Sequence, residues 1–125
     1  MVEDRVTDGR RIAQLLASEV TGREDGPLAS MAVVEADREI EPSTEGSFAY
    51  GVDHDGERLA EVYVHPERAR VELLAGVERG ASAAADTRLR ARPVASDPPR
   101  TLVFVESGAA VKGAVDVLVA AAEGA

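Results

Sequence analysis

The strongest constraint on the fold is a pair of β-prone runs around a tight-turn signal. Residues 48–53 and 58–65 flank the dipeptide Asp55-Gly56. Asp-Gly is a preferred two-residue hairpin turn because such turns require positive φ angles. A second reversal at residues 66–67 leads into a third β-prone run at residues 68–74. The sequence therefore predicts a three-stranded antiparallel meander, around which the rest of the chain has to pack.

Strand alternation gives this meander two different faces. With Asp55-Gly56 as the turn, Tyr50 is expected opposite Glu61, and Phe48 opposite Tyr63. One face is then aromatic with embedded charges: Phe48, Tyr50, Val52, Leu59, Glu61, Tyr63, His65, Arg70, Glu72 and Leu74. The other is small and apolar, and is expected to lie under a helix: Ala49, Gly51, Ala60, Val62, Val64, Ala69, Val71 and Leu73. A slip of one residue at either turn changes these partners.

Helices are predicted at both ends of the chain. Residues 8–20 carry an apolar stripe at helical spacing, with Thr7 or Asp8 as the predicted N-cap, and residues 108–123 carry a second stripe behind Ser107. Further strands are predicted at residues 31–36, 88–94 and 101–106. Residues 75–86 are ambiguous, because alanines favour a helix and glycines weaken it, and a short helix or a helical loop is expected there. The predicted fold class is α+β, one domain over residues 1–125 with a mostly antiparallel sheet of about five to six strands and both terminal helices packed on it.

The charge balance describes the solvent better than it describes a substrate. The chain has 23 acidic residues against 14 basic ones, a net charge of −9, and Lys112 is its one lysine. Carboxylate-rich, arginine-biased surfaces favour adaptation to a cytoplasm of very high salt, although a GC-rich genome gives the same arginine bias. The chain has no cysteine, which excludes disulfides and thiolate sites, and no apolar run long enough for a membrane span. With a charged N-terminus, it is predicted to be cytoplasmic.

The aromatic face of the meander is the leading candidate for an interface. Tyrosine and arginine are common at protein contacts, and a second copy of the chain would help to complete a core that is poor in aromatics. Plain surface or a core edge, and the wall of a ligand site, are the alternatives. The candidate interface residues are Phe48, Tyr50, Tyr63, His65 and Arg70.

Other chemistry is weaker in the sequence. Glu61 and His65 share one side of a strand, and a carboxylate that orients a histidine is the basic unit of general base catalysis, but the sequence identifies no third partner. In the tight turn around His54 consecutive side chains point in different directions, so no metal site is predicted there. No catalytic set and no cofactor are predicted from the rest of the sequence. Arg88, Arg90 and Arg92 form a row on one side of a predicted strand, which could bind nucleic acid. The acidic chain makes cross-strand pairing with glutamates, such as Glu72 or Glu106, the simpler interpretation.

The best small-molecule candidate is the strand-to-helix turn at Ser107-Gly108, with Lys112 close behind it. Free N–H groups at a helix start attract anions. The segment lacks the spacing of a phosphate-binding loop, and a simple helix cap explains it equally well. It therefore remains an alternative, as the site of a small anionic-ligand binder or enzyme.

Over its full length the chain resembles a small haloarchaeal protein family with no assigned activity. The resemblance rests on the segment at residues 8–17 (DGRRIAQLLA), on VYVHP at residues 62–66 and on TLVFVESG at residues 101–108. It implies an archaeal halophile and carries over no catalytic residue. The expected function is that of a salt-adapted, non-enzymatic protein-interaction module that forms a homodimer.

Overall fold

The computed structural model describes residues 8–96 and 98–125. These form a six-stranded antiparallel sheet in the order β1-β2-β3-β4-β6-β5, with three α-helices, so the predicted α+β class is confirmed. Residues 1–7, part of the segment used to predict the cytoplasmic location, lie outside the described residues. The strands are β1 Met31–Val34, β2 Ser47–His54, β3 Glu57–Val64, β4 Ala69–Leu73, β5 Ala91–Val94 and β6 Arg100–Val105. The helices are α1 Gly9–Gly22, α2 Val77–Asp86 and α3 Val111–Gly124.

The predicted meander is the centre of the sheet. Strands β2, β3 and β4 are consecutive neighbours, and the first hairpin turns at Asp55 and Gly56, whose φ angles are 52° and 82°. Positive φ at both central residues is the condition that the Asp-Gly dipeptide meets at low cost. The backbone N–H of Asp55 also donates to the carbonyl of Ser30, 3.0 Å away, which ties this turn to the start of β1.

Strand β5 is shorter than the sequence pattern predicts. The N–H groups of Thr87, Arg88 and Leu89 all donate back to carbonyl groups at the end of α2, and Arg88 has a φ of 62°. These residues therefore finish the helix and cannot join the sheet. The strand begins at Ala91, and Pro93, which lacks an N–H donor, lies on this outermost strand of the sheet.

The helices cover one face of the sheet, which is built of small apolar side chains. Asp8 caps α1 by accepting from the N–H of Arg11 at 3.0 Å, and Ile12, Leu16 and Val20 are fully buried beneath it. The small face of β3 and β4 is buried as predicted, as are the sides of α3 that meet the sheet and the other helices. No helix within residues 8–96 and 98–125 is long and apolar enough to cross a membrane.

The segment that was ambiguous in the sequence is a helix held against α3 by close backbone contact. Gly76 precedes α2 in a left-handed conformation with φ 59°. A Cβ atom at Gly76 would overlap the carbonyl oxygen of Ala121 in α3, and one at Gly80 would overlap the side chain of Leu73. The two glycines that weaken the helical pattern thus allow α2 to reach its packing position.

Gly76→Ala is expected to lower the free energy of unfolding by about 2–4 kcal/mol, because left-handed strain of about 1–2 kcal/mol adds to the displacement of α3. Gly56→Ala is the matched control, since Gly56 has a φ of 82° with no heavy atom within 4 Å of an added Cβ. It should lose only the strain component. Urea unfolding of both variants measures the difference, and equal losses would refute the close-packing account.

Candidate functional site

The sheet face that the helices leave uncovered, called the open face below, holds most of the predicted interface residues. The three helices lie against the opposite face, where the strand side chains are fully buried. On the open face the side chains are partly buried by one another. Its members are Phe48, Gly51, Arg58, Glu61, Tyr63, Arg70, Glu72, Arg100, Leu102 and Phe104.

The prediction that Tyr50 belongs to this face is wrong. The β2–β3 register shifts between Val52 and Asp53, and shifts back between Phe48 and Tyr50. Tyr50 therefore pairs with Val62 instead of Glu61, while the Phe48–Tyr63 pair stands as predicted. Tyr50 is 4% exposed under α1, where its hydroxyl donates to the carbonyl of Ala13 at 2.7 Å.

The two register shifts are β-bulges on opposite strands that cancel. Near the turn the extra residue is Leu59 in β3, and at the far end it is Ala49 in β2. Each bulge adds one unpaired residue to its strand, so the pairing is shifted only for residues 50–52 of β2. Relative to the predicted alternation, the faces change from each bulge to the turn, and Leu59, which was expected on the aromatic face, is buried in the core. As a result Val52 joins Tyr50 under the helices, and Gly51 turns to the open face.

The aromatic side chains of the open face are held by edge contacts and by arginines. The rings of Phe48 and Tyr63 meet edge to face, with centroids 5.7 Å apart at 75°. The Arg70 guanidinium lies 4.6 Å from the Tyr63 ring centroid. Phe104 is held between Arg68 and Arg90, at 4.7 Å and 5.4 Å. Such cation–π pairs fix the arginines as well as the rings.

At the β2 end of the open face, Arg58 binds three carboxylates. It donates to Asp53 at 2.8 Å, to Glu61 at 2.9 Å and to Glu35 at 2.6 Å. Its guanidinium lies against the backbone of Gly51, where any Cβ would collide with it. The hydrogen bond to Asp53 is the main reason that the pKa of Arg58 is raised, with Glu35 adding to it.

In the centre of the face, Arg100 bridges two carboxylates that would otherwise repel each other. Glu61 and Glu72 are direct cross-strand partners, an arrangement that is destabilising for like charges. Arg100 donates to Glu72 at 2.8 Å and to Glu61 at 3.4 Å, while Arg70 pairs with Glu72 at 2.9 Å. These three arginines and four carboxylates form one connected network across the sheet, which we call the ion network.

His65 is buried at the edge of this network. It does not contact Glu61, so the two residues do not form the catalytic histidine–carboxylate pair considered from the sequence. Its Nδ1 lies 3.0 Å from the carbonyl oxygen of Thr44, and its Nε2 lies 3.1 Å from Nη1 of Arg70. A carbonyl only accepts, so Nδ1 carries the proton and Nε2 accepts from Arg70. Glu61 instead accepts from Tyr63 at 3.0 Å. Burial is the largest cause of the lowered pKa of His65, and the neighbouring arginines add to it.

The arginine row is not continuous in the structure. Arg90 donates twice to Glu106, at 3.1 Å and 3.0 Å, which is the cross-strand pairing expected from the sequence. Arg88 lies in the turn before β5, and Arg92 is exposed on that strand. The row is therefore divided between a turn and a sheet edge.

The strand-to-helix turn also differs in detail from the sequence pattern. A single 3-10 turn, Gly108–Ala110, precedes α3, which begins at Val111. The Ser107 side chain makes no capping hydrogen bond, and Lys112 is exposed in the first turn of α3. The anion site at Ser107, Gly108 and Lys112 stays a prediction.

Comparison with known proteins gives one match. A family model described as "Family of unknown function (DUF7993)" matches residues 1–125. No curated protein and no solved structure matches the chain. The geometry of the chain itself is therefore the basis for assigning a function.

Titration of His65 should show a pKa below the usual value of about 6.5. The unfolded state then binds the proton more readily, so the contribution of His65 to stability is present above about pH 6.5 and is lost as the pH falls through the folded pKa. NMR of His54→Gln, which leaves His65 as the one histidine, measures this directly. A midpoint at or above 6.5 would contradict the buried, neutral ring.

Arg100→Met should lower the free energy of unfolding by about 1 kcal/mol, because it leaves Glu61 and Glu72 facing each other while Arg100 itself is partly exposed. Arg92→Met, an exposed arginine on the neighbouring strand, is the matched control and should change stability by less than about 0.5 kcal/mol. Thermal unfolding measures both. Equal effects would show that the bridge contributes nothing specific.

Proposed function

Because the chain belongs to DUF7993, a family of unknown function, we propose its role from its own geometry: it is a salt-adapted, non-enzymatic interaction module that forms a homodimer through the open face. The single observation that carries this proposal is the ion network. Because of these ion pairs, the charges on the uncovered sheet face largely offset one another and its side chains are fixed in place.

Charge favours a second copy of the chain as the occupant of this face. The whole chain carries a net charge of −9, so two copies repel each other over most of their surfaces. On the open face, however, three arginines, Arg58, Arg70 and Arg100, are paired with four carboxylates, so most of the charge is offset locally. Two copies can therefore approach through this face at a lower electrostatic cost than through the acidic loops.

The apolar content and rigidity of the face also support a contact role. Phe48 and Tyr63 are partly buried on the adjacent strands β2 and β3, and Leu102 and Phe104 are partly buried on β6, with Arg70 and Glu72 of β4 between the two pairs. The rings of Phe48, Tyr63 and Phe104 are already held by neighbouring side chains, so these residues lose little side-chain entropy on binding. Aromatic residues and arginine are the types enriched at protein interfaces.

The size of the face sets the expected strength. Six strands measure about 24 Å across and about 20 Å along, which is on the order of 500 Å² in projection. Standard interfaces bury about 800 Å² per partner. We therefore expect a small interface and a dimer whose population depends on concentration.

The exposure of acidic side chains in the loops supports the proposed salt adaptation. Acidic residues in the loops are exposed, for example Glu39, Glu41 and Glu67. Three carboxylates of the ion network are partly buried instead: Asp53, Glu61 and Glu72. At molar salt the Debye length falls to about 3 Å, so repulsion between the exposed groups of two copies is largely screened. The short contacts within the ion network are affected less, because burial protects them.

Light scattering coupled to size-exclusion chromatography should find about twice the mass of one chain in about 3 M KCl, and a shift toward monomer in about 0.1 M KCl. The reason is that screening removes the repulsion between two acidic chains. Circular dichroism at both salt concentrations separates dissociation from unfolding. A folded monomer in about 3 M KCl at about 0.2 mM protein would refute the homodimer.

Phe104→Glu tests the location of the interface. In the monomer the new carboxylate lies between Arg68 and Arg90, which offset its charge, so the fold should persist. In the dimer it removes a central ring and buries a charge, and we expect association to weaken at least about tenfold. Ala85→Glu adds the same charge at an exposed position of α2, on the helix side, and should leave the dimer unchanged. Retention of the dimer in Phe104→Glu would place the contact elsewhere.

A further inference from the structure

A cavity of about 620 Å³ lies on the helix side of the sheet, remote from the open face. It opens between α1 and the edge formed by β1 and β2, and the segment at residues 36–40 forms one of its sides. Ligand pockets in proteins commonly measure about 300–1,000 Å³. The space is therefore sufficient for a small organic molecule.

One part of the cavity wall is apolar. Tyr50 lines it, but its hydroxyl already donates to Ala13, so the residue offers mainly its ring to the space. Burial raises the pKa of Tyr50, which keeps the phenol neutral at physiological pH. Small aliphatic side chains supply much of the remaining wall: Ala13, Ala17, Val33, Ile40, Ala49 and Val64.

Most of the charged residues that line the cavity are arginines, although the chain as a whole is acidic. Arg10, Arg11 and Arg38 line it, with Asp37 as the one acidic residue among the lining residues. Arg10 donates to the carbonyl of Arg38 at 2.7 Å, which fixes the loop against α1. The carboxylate of Asp37 accepts from the N–H of Glu39 at 3.0 Å. Arg10 and Arg38 thus place two guanidinium groups beside an apolar space, an arrangement that suits an amphipathic anion.

We propose that this cavity binds a small monocarboxylate with an unbranched or compact apolar body. The body occupies the space above Tyr50, and the carboxylate pairs with the arginines, chiefly Arg38, whose guanidinium makes no ion pair within the part of the chain that the structure describes. A monoanion fits better than a phosphate dianion, because Asp37 and a net charge of −9 oppose additional negative charge.

This site is independent of the homodimer proposed above, because it uses the opposite side of the sheet. Binding of a carboxylate here requires neither a second copy nor any member of the ion network. The Phe104→Glu variant should therefore bind the ligand as the unchanged chain does. Failure of one proposal leaves the other standing.

Titration calorimetry of the full chain with octanoate and with 1-octanol tests the site. Octanoate should bind saturably with one molecule per chain, and 1-octanol, which has the same chain length without the charge, should bind at least about tenfold more weakly. Arg38→Gln should weaken octanoate about tenfold, whereas Arg92→Gln, an exposed arginine at the other edge of the sheet, should leave it unchanged. Ala17→Leu, which fills part of the cavity, should weaken both ligands.

Four results would overturn the proposal. They are the absence of saturable octanoate binding up to about 10 mM, equal binding of octanoate and 1-octanol, an unchanged affinity in Arg38→Gln, and an unchanged affinity in a natively folded Ala17→Leu. Arg38→Gln changes an exposed loop side chain, so the charge test does not depend on a core substitution being tolerated. Circular dichroism of each variant confirms that the fold is retained.

Discussion

Close contact between the helices and a sheet face of alanine and valine is the constraint on which the rest of the structure depends. The side chains on this face are small, for example Ala60, Val62 and Val71, so the helix backbones can come close to the sheet. Gly76, which has no Cβ atom, allows α2 to pack against α3. A core of small side chains gains about 25 cal/mol per Å² of buried apolar area, so it has to be close-packed to be stable. All three helices are therefore on one side, and the other face of the sheet has to be stabilised without them.

The open face achieves this with charge instead of a covering layer. A partly buried charge is costly unless it is paired, and here each arginine of the ion network binds at least one carboxylate. Arg100 turns a repulsive cross-strand pair of glutamates into a bridge. The resulting surface is neither a hydrophobic patch nor an ordinary solvated face. This is why we infer that a second copy binds there.

Local signals in the sequence predicted the meander, a cap at Thr7 or Asp8, both terminal helices and the buried small face of β3 and β4. They failed where structure depends on distant partners. The bulges at Ala49 and Leu59 cancel, so Phe48 still meets Tyr63 and the two ends of the hairpin keep the register of a regular one. Phe104 was not placed on the open face because the β4–β6 pairing is long-range. The cavity was missed for the same reason: α1 and the loop that carries Arg38 are separate in sequence.

The pair of bulges has a consequence for how this chain can change over time. Two consecutive residues serve opposite sides of the sheet: Tyr50 lines the cavity, and Gly51 lies beneath the guanidinium of Arg58. Ala49 and Leu59 are each the extra residue of a bulge, so deletion of either one would remove that bulge and keep the other pairs of the hairpin, from Phe48–Tyr63 to His54–Glu57. A loss of one residue is thus tolerated at these two positions, whereas the loss of a paired residue elsewhere in the hairpin would move side chains from one side of the sheet to the other.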